Sequence, residues 1–176
     1  YVEEVLALRE EFRGRIDVLL GIEADYAEGY EETLRALLAP YDWDVVLGSV
    51  HFVAGDWIDA PSSGSRHEKE GSAHLWAEYF RLLAKAEAAA VEAARVAGVA
   101  IEVSSAGLRK TVGEEYPGPR LLARLVAAGV PLVFSSDSHA PAEVAWGREQ
   151  VVSAAKAAGA TEHVTFRKRI RTAHPL

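Results

Sequence analysis

Short apolar runs alternate with segments of helical periodicity along the chain, and this alternation constrains the fold more than any other feature of the sequence. Such a pattern is typical of repeated strand–helix units, in which consecutive strands pair in parallel. The apolar runs are nearly continuous, as expected of strands that are buried on both faces. The sequence therefore predicts an α/β protein built on a parallel sheet.

Each predicted strand is an apolar run bounded by turn residues. The predicted strands are Ile16–Glu23, Asp44–His51, Val99–Ser104, Leu132–Ser136 and Glu162–Phe166. The predicted helices are Tyr1–Phe12, Tyr30–Leu38, Ser72–Ala97, Pro119–Ala128 and Gly147–Ala158. The polar segment 52–71 has no clear periodicity and is too long for a routine connection, so it is either functional or disordered. The basic segment at the end of the chain is interpreted as a solvated surface.

The composition favours one globular domain over residues 1–176, since 49% of the 176 residues are hydrophobic and 26% are charged. A net charge of −7 leaves no basic excess for nucleic acid or an anionic membrane. No apolar run is long enough to span a membrane, and we expect a cytoplasmic protein. The chain contains no Met, which leads us to expect further residues before Tyr1.

The predicted strands end in side chains that bind metals. Glu23 and His51 stand at the ends of the first two strands, and Asp137 and His139 follow the fourth. In a parallel β/α barrel the carboxyl ends of all strands meet on one face. Because Cys is absent, carboxylate and imidazole ligands for zinc, manganese or iron remain.

Asp137 and His139 lie two residues apart, so an extended backbone would point both side chains to one side. Other interpretations stay open for single residues. Glu23 is also explained as a solvated or helix-capping carboxylate, and His51 as a hydrogen-bonded core or rim residue.

Basic residues after the third strand are candidates for substrate binding. Arg109 and Lys110 are expected on the same face as the strand ends, where a guanidinium binds phosphate through two hydrogen bonds. His67, in the long polar segment, is a further candidate. A solvated basic pair and an exposed loop histidine are the alternatives. Nucleophile-elbow, P-loop and dinucleotide motifs are absent, which leaves metal-assisted hydrolysis as the predicted chemistry.

Five stretches together resemble the polymerase and histidinol phosphatase (PHP) family of metallophosphoesterases, and within it the histidinol-phosphatase branch. The stretches are GIEADY, VVLGSVHF, IEVSSAGLRK, YPGPRLLARLVAAGVPLVFSSDSHAP and the final HPL. They occur in the order of that branch and span nearly the whole chain. The resemblance implies a distorted (β/α)7 TIM-like barrel that carries up to three divalent metal ions.

The resemblance also implies roles for individual residues. Glu23 matches a metal-bridging carboxylate, His51 a metal ligand, Asp137 and His139 the last metal motif, and Arg109 a contact to the substrate phosphate. The implied reaction is hydrolysis of L-histidinol phosphate in histidine biosynthesis, with a metal-bound water as the nucleophile and no side-chain nucleophile.

The sequence departs from the family pattern in two places. The H-x-H strand and the D-H pair that open the family do not precede Tyr1, and a G-H-x-D-like motif is missing near residues 88–92. The implied barrel is therefore incomplete in this chain. Two alternatives stay open: hydrolysis of another small phosphate ester or a nucleotide, and a non-catalytic remnant whose Asp and His side chains only form hydrogen bonds.

Overall fold

A computed structural model describes residues 1–25, 29–49, 52–53, 56–57 and 91–176 of the chain, the two short pairs by their backbone only. The described residues form two compact units. The first contains the residues up to 57 and residues 166–171, and the second contains residues 91–165 and 172–176. Within these ranges no helix is both long and apolar enough to cross a membrane.

The described elements alternate between helix and strand over most of the chain. The helices are α1 (Val2–Glu11), α2 (Glu31–Leu38), α3 (91–97), α4 (Pro119–Ala127) and α5 (Arg148–Ala157). The strands are β1 (Gly21–Asp25), β2 (Val45–Ser49), β3 (Phe52–Val53), β4 (Asp56–Trp57), β5 (Ile101–Ser104), β6 (Leu132–Ser135), β7 (Glu162–Arg167) and β8 (Ile170–Pro175). Short 3-10 helices cover Ala106–Arg109 and Pro141–Glu143.

The strand pairing confirms the predicted α/β class with parallel strands. β1 pairs with β2 in parallel from Gly21–Val45 to Asp25–Ser49. β5 pairs with β6 in parallel from Ile101–Leu132 to Ser104–Ser135. In the described ranges the strands form two-stranded sheets, and closure into a barrel stays a prediction.

The second unit has its core between the β5–β6 pair and the helices that follow each strand. Val103, Leu132 and Val151 are buried together with Leu122 and Ala155. Leu125 belongs to a second buried cluster, with Val91, Ala94 and Val130. The apolar side chains at Leu122 and Leu125 thus give α4 two buried contacts three residues apart, as its helical periodicity predicts.

The first unit is held by the buried carboxylate of Asp44, which is 3% exposed. Its Oδ2 accepts hydrogen bonds from Arg9 in α1 and from the backbone N–H of Leu20, and its Oδ1 accepts one from the N–H of Lys168 at 2.9 Å. Burial alone raises the pKa of this carboxyl group. The two backbone N–H groups and the Arg9 guanidinium outweigh burial and hold the pKa of Asp44 below its ordinary value.

Asp44 also explains why the first strand begins later than predicted. The prediction placed a strand over Ile16–Glu23, but the structure begins β1 at Gly21. The N–H of Ile16 bonds back to Phe12 at the end of α1, and both backbone groups of Leu20 bond to Asp44. These residues have satisfied hydrogen-bonding groups without a partner strand, so they do not join the sheet.

The basic residues at the end of the chain are exposed, as predicted, but the segment forms a strand that was not predicted. Residues 170–175 form β8, which pairs with β7 through a two-residue turn at Lys168 and Arg169. Both turn residues have positive φ, 49° and 60°, where Asn and Gly are usual. Their N–H groups bond to Asp44, which stabilises a turn that the local sequence does not signal.

The remaining predicted boundaries that fall in the described ranges agree with the structure to within two residues. β2 is described as far as Ser49, and its predicted end at His51 lies outside the described residues. Most of the predicted helix Ser72–Ala97 lies outside them too. The short antiparallel pair of β3 and β4 was not predicted, because two-residue strands carry no periodicity.

We expect Asp44→Asn to lower the free energy of unfolding by about 2 to 4 kcal/mol, because it leaves Arg9 and one backbone N–H poorly paired. Urea denaturation, with amide hydrogen exchange at Leu20 and Lys168, measures the effect. The neighbouring exposed Asp42→Asn is the matched control. Because the folded pKa is depressed, the stabilisation is present above the unfolded pKa and should be lost as pH falls through the folded pKa. Equal stability of the two variants at neutral pH would contradict this role.

A second titrating group, His163, lies on β7 and contacts Phe134 of β6. The His163 ring stacks between Phe134 and His174, at centroid distances of 5.3 and 5.4 Å, and its Nδ1 is buried without a hydrogen-bond partner in the described structure. Burial, followed by the charges of His174 and Arg148, lowers the pKa of His163 from its ordinary value of 6.5. The folded protein therefore favours the neutral imidazole.

We expect the melting temperature to fall as pH drops below the unfolded pKa of His163, since the unfolded chain binds this proton more readily. In His163→Gln the fall should be smaller, by about 2 to 4 °C. Calorimetric melting of both proteins at neutral and mildly acidic pH tests this. Parallel pH profiles would show that His163 does not carry the effect.

Candidate active site

The segment after β5 turns sharply into a 3-10 helix that carries Arg109. The Oγ of Ser104 accepts a hydrogen bond from the N–H of Ala106, and the backbone of Ser104 bonds in both directions to Tyr116. A Cβ on Gly107 would lie 2.1 Å from the carbonyl oxygen of Glu114. The chain therefore needs glycine here, because the returning backbone lies against it.

The segment after β6 carries Asp137 and His139, but not on an extended strand as predicted. β6 ends at Ser135, and Asp137 has a left-handed φ of 46°. The Oγ of Ser136 accepts a hydrogen bond from the N–H of Ala145, which folds the loop back on itself. The two side chains still meet: His139 Nδ1 lies 3.7 Å from Asp137 Oδ1 and 3.1 Å from the Asp137 carbonyl oxygen.

Arg109 reaches this loop, as predicted. Its Nη2 donates a hydrogen bond of 3.0 Å to the carbonyl oxygen of Asp137, and its guanidinium lies 5.6 Å from the ring centroid of Trp146. Its Nη1 is buried and has no hydrogen-bond partner in the described part of the chain. A buried guanidinium nitrogen without an acceptor is costly, so an anion bound at this position would stabilise it.

Glu143 is a site residue that the sequence analysis missed. Its Oε2 accepts a hydrogen bond of 2.8 Å from the N–H of His139 and lies 3.7 Å from Arg109 Nη2. The hydrogen bond from His139, followed by the charge of Arg109, outweighs burial and lowers the pKa of Glu143. Pro141 two residues earlier was the available signal, since a proline begins a short helical turn.

Trp146 and Gly147 connect the two loops at the rear of the site. The buried Ser105 hydroxyl donates a hydrogen bond to the carbonyl oxygen of Trp146. Gly147 has a φ of 70°, and a Cβ there would lie 2.7 Å from the Cβ of Ser105. A cavity of about 260 Å³ lies beside Trp146 and is also lined by Phe134, Ser135 and Arg148.

The other predicted site residues lie away from Asp137 in the chain, and some of them lie outside the described residues. Glu23 lies on β1 of the first unit, opposite Leu47, with its side chain exposed. Lys110 is exposed and follows the 3-10 helix directly. His51 and His67 lie outside the described residues, so their predicted roles stay predictions.

The donor atoms around Asp137 fit a divalent metal. In the described ranges no three His, Asp or Glu side chains form a group able to hold an ion, so Asp137 and His139 would supply part of a ligand set. When His139 Nδ1 donates to the Asp137 carbonyl, the lone pair of Nε2 is available to a metal, and 82% of the side chain is exposed. This arrangement of a histidine fixed by a carbonyl is common among metal ligands.

The fold and site together define an α/β protein in which a carboxylate, an imidazole and a guanidinium meet after a pair of parallel strands. This set is suited to binding a cation and an anion side by side. No protein-family profile matches the chain.

Curated relatives narrow this class to one family. A probable histidinol-phosphatase of Deinococcus radiodurans is 31% identical over 196 aligned positions, which cover 96% of this chain and 75% of the relative. The chain therefore belongs to the histidinol-phosphatase family. The histidinol-phosphatase of Bacillus subtilis is 24% identical, over 85% of this chain and 73% of its own length. A probable histidinol-phosphatase of Schizosaccharomyces pombe is 26% identical, over 82% and 60%.

A solved structure supports the fold. The chain matches histidinol phosphate phosphatase of Lactococcus lactis, crystallised with zinc, L-histidinol and phosphate, with a TM-score of 0.68. The match covers 98% of this chain and 78% of the other at 15% identity. At this identity the match speaks for the fold and not for individual site residues.

We expect Gly147→Ala to destabilise the protein more than Gly129→Ala, by about 1 to 3 kcal/mol. Both glycines have a φ of 70°, so both variants carry the same backbone strain, but only a Cβ at position 147 collides with Ser105. Urea denaturation of the two variants separates the collision from the strain. Equal losses would show that the contact between Ser105 and Gly147 relaxes freely.

Proposed function

We propose that this protein hydrolyses L-histidinol phosphate to L-histidinol and inorganic phosphate. The observation that carries the proposal is the position of Arg109, whose guanidinium bonds to the Asp137 carbonyl and whose buried Nη1 has no hydrogen-bond partner among the described residues. Membership of the histidinol-phosphatase family supports the substrate.

Arg109 would bind a non-bridging oxygen of the phosphate through Nη1. The negative charge on these oxygens must be compensated during transfer, and a fixed guanidinium does so without rearranging. The stacking of Arg109 near Trp146 and its bond to Asp137 restrict the side chain before the substrate arrives. The scissile P–O bond breaks as a water oxygen bonds to phosphorus, and the alcohol leaves with a proton from that water.

Asp137 and His139 would hold a divalent metal, with zinc as the first candidate because the Lactococcus lactis structure contains it. The metal supplies Lewis-acid charge compensation and lowers the pKa of bound water. Glu23 and His51 are proposed as further ligands, and Lys110 and His67 as further substrate contacts, on the basis of the sequence motifs alone.

Three finer features belong to the same proposal. They are membership of the wider PHP group, a distorted (β/α)7 barrel, and an internal segment missing near residues 88–92. The alignment with the Deinococcus radiodurans relative supports the last, because its 196 positions exceed the 176 residues of this chain. The relative therefore has residues with no counterpart here. A cytoplasmic location also stays a prediction from the sequence.

Phosphate release from L-histidinol phosphate, measured with added zinc or manganese and again after chelation, tests the function. We expect metal-dependent release, with other phosphate monoesters and nucleotides hydrolysed much more slowly. Asp137→Asn should lower kcat by about 100-fold or more and reduce the bound zinc, since it removes a ligand charge. Arg109→Ala should raise KM roughly 10- to 100-fold, because it removes a charge-assisted hydrogen bond to phosphate.

Two exposed residues of the first unit give matched controls for these variants. Asp42→Asn and Arg13→Ala should retain the kinetics and the zinc content of the unaltered protein. A preference for a nucleotide in the substrate panel would replace the proposed substrate. Unchanged zinc content and phosphate release in Asp137→Asn would contradict the proposed metal site.

A further inference from the structure

We propose that Glu143 is a positioning residue that holds the phosphate anchor Arg109 and the metal ligand His139 in register with each other. This inference rests on the proposed function, since it assigns Glu143 a part in the same site. Glu143 is not placed in contact with the substrate.

Glu143 contacts the loop that carries His139. The loop that carries His139 leaves β6 through a left-handed residue, Asp137, and its side chains are exposed. The carboxylate of Glu143 accepts the backbone N–H of His139 at 2.8 Å, and the His139 ring contacts the Asp137 carbonyl at 3.1 Å. Backbone and ring are thus fixed by different partners, and Glu143 provides the one that fixes the backbone.

Glu143 also contacts Arg109, a residue from a different part of the chain. Oε2 of Glu143, the same atom that accepts the His139 N–H, lies 3.7 Å from Arg109 Nη2. Nη2 also donates to the Asp137 carbonyl at 3.0 Å, while Nη1 has no partner in the described residues. These two polar contacts both involve Nη2, so the hydrogen-bonding capacity of Nη1 stays unused among the described residues.

The backbone of Glu143 is itself restricted. It is the last residue of the 3-10 helix Pro141–Glu143, and Pro141 restricts the backbone at the start of that helix. The side chain of Glu143 is 33% exposed and that of Arg109 is 20% exposed. At this burial the ion pair is only partly screened by water, so it has an effect on the position of Arg109 that an exposed pair would lack.

Two substitutions separate the two contacts. Glu143→Gln keeps a carbonyl oxygen that accepts the His139 N–H but loses the charge that faces Arg109. Glu143→Ala loses both. Glu162→Gln, an exposed glutamate at the start of β7, is the matched control. The measurements are the dissociation constant of inorganic phosphate by calorimetry in the zinc-loaded protein, the zinc affinity, the KM and kcat for L-histidinol phosphate, and the melting temperature.

We expect Glu143→Gln to raise both the phosphate dissociation constant and KM about three- to fivefold, with kcat and zinc affinity unchanged. Glu143→Ala should in addition lower the zinc affinity and kcat, each by about tenfold, because His139 loses its backbone partner. In the Arg109→Ala background Glu143→Gln should leave KM unchanged, since the two substitutions act on one contact.

Three results would overturn the inference. One is phosphate affinity in Glu143→Gln equal to that of Glu162→Gln. Another is tighter phosphate binding, which would mean that the Glu143 charge opposes the anion and does not place its anchor. The third is the same rise in KM and the same fall in kcat and melting temperature in both Glu143 variants, which would indicate a general structural role.

The phosphate titration also separates this inference from the proposed function. If the unaltered protein binds phosphate but does not hydrolyse L-histidinol phosphate, the proposed function fails and the comparison of phosphate affinities still decides the role of Glu143. If the protein hydrolyses the substrate and the Glu143 variants match the control, only the positioning role fails. An unaltered protein that neither binds phosphate nor hydrolyses the ester would overturn both.

Discussion

The parallel pairing of β5 and β6 is the constraint on which the candidate site depends. Ser104 and Ser135 lie opposite each other at the carboxyl ends of the two strands, so the segments that follow them begin side by side. Arg109 and Asp137 are far apart in sequence, but each follows its strand end by a few residues and they share a hydrogen bond. The burial of Val103 and Leu132 between the strands and helices fixes this register, because a shift by one residue would expose the core face.

A different interaction organises the first unit. The Asp44 carboxylate accepts hydrogen bonds from α1, from the residue before β1 and from the turn between β7 and β8. A single buried charge is acceptable because donors surround it, and these hydrogen bonds connect three segments that are far apart in the sequence. The sequence shows Asp44 only as a residue before an apolar run, which is why the β7–β8 hairpin was missed.

The candidate site combines groups with separate tasks. In the proposed roles Arg109 binds the anion and Asp137 and His139 bind the metal, and Glu143 contacts Arg109 and His139 through one oxygen. Ser105 and Gly147 add a tight contact that holds Trp146 near the guanidinium. The site therefore depends on backbone carbonyl and N–H groups as much as on side chains. These backbone groups of a short loop hold the side chains of Arg109 and Glu143.

The sequence by itself determined the α/β class, the parallel pairing and most helix ends. Apolar periodicity and the glycines that follow the helices act locally, and these glycines are Gly98, Gly129 and Gly159. It also predicted that Asp137, His139 and Arg109 would lie together, since residues at strand ends converge in parallel sheets. The structure brings the three together, and their functional roles stay a proposal. Only the tertiary structure decided the left-handed turn at Asp137, the late start of β1, the hairpin held by Asp44 and the contacts of Glu143 with His139 and Arg109. Most of these features depend on hydrogen bonds between residues far apart in the sequence, such as Arg109 and Asp137 or Lys168 and Asp44, and such bonds leave no local pattern for a sequence to show.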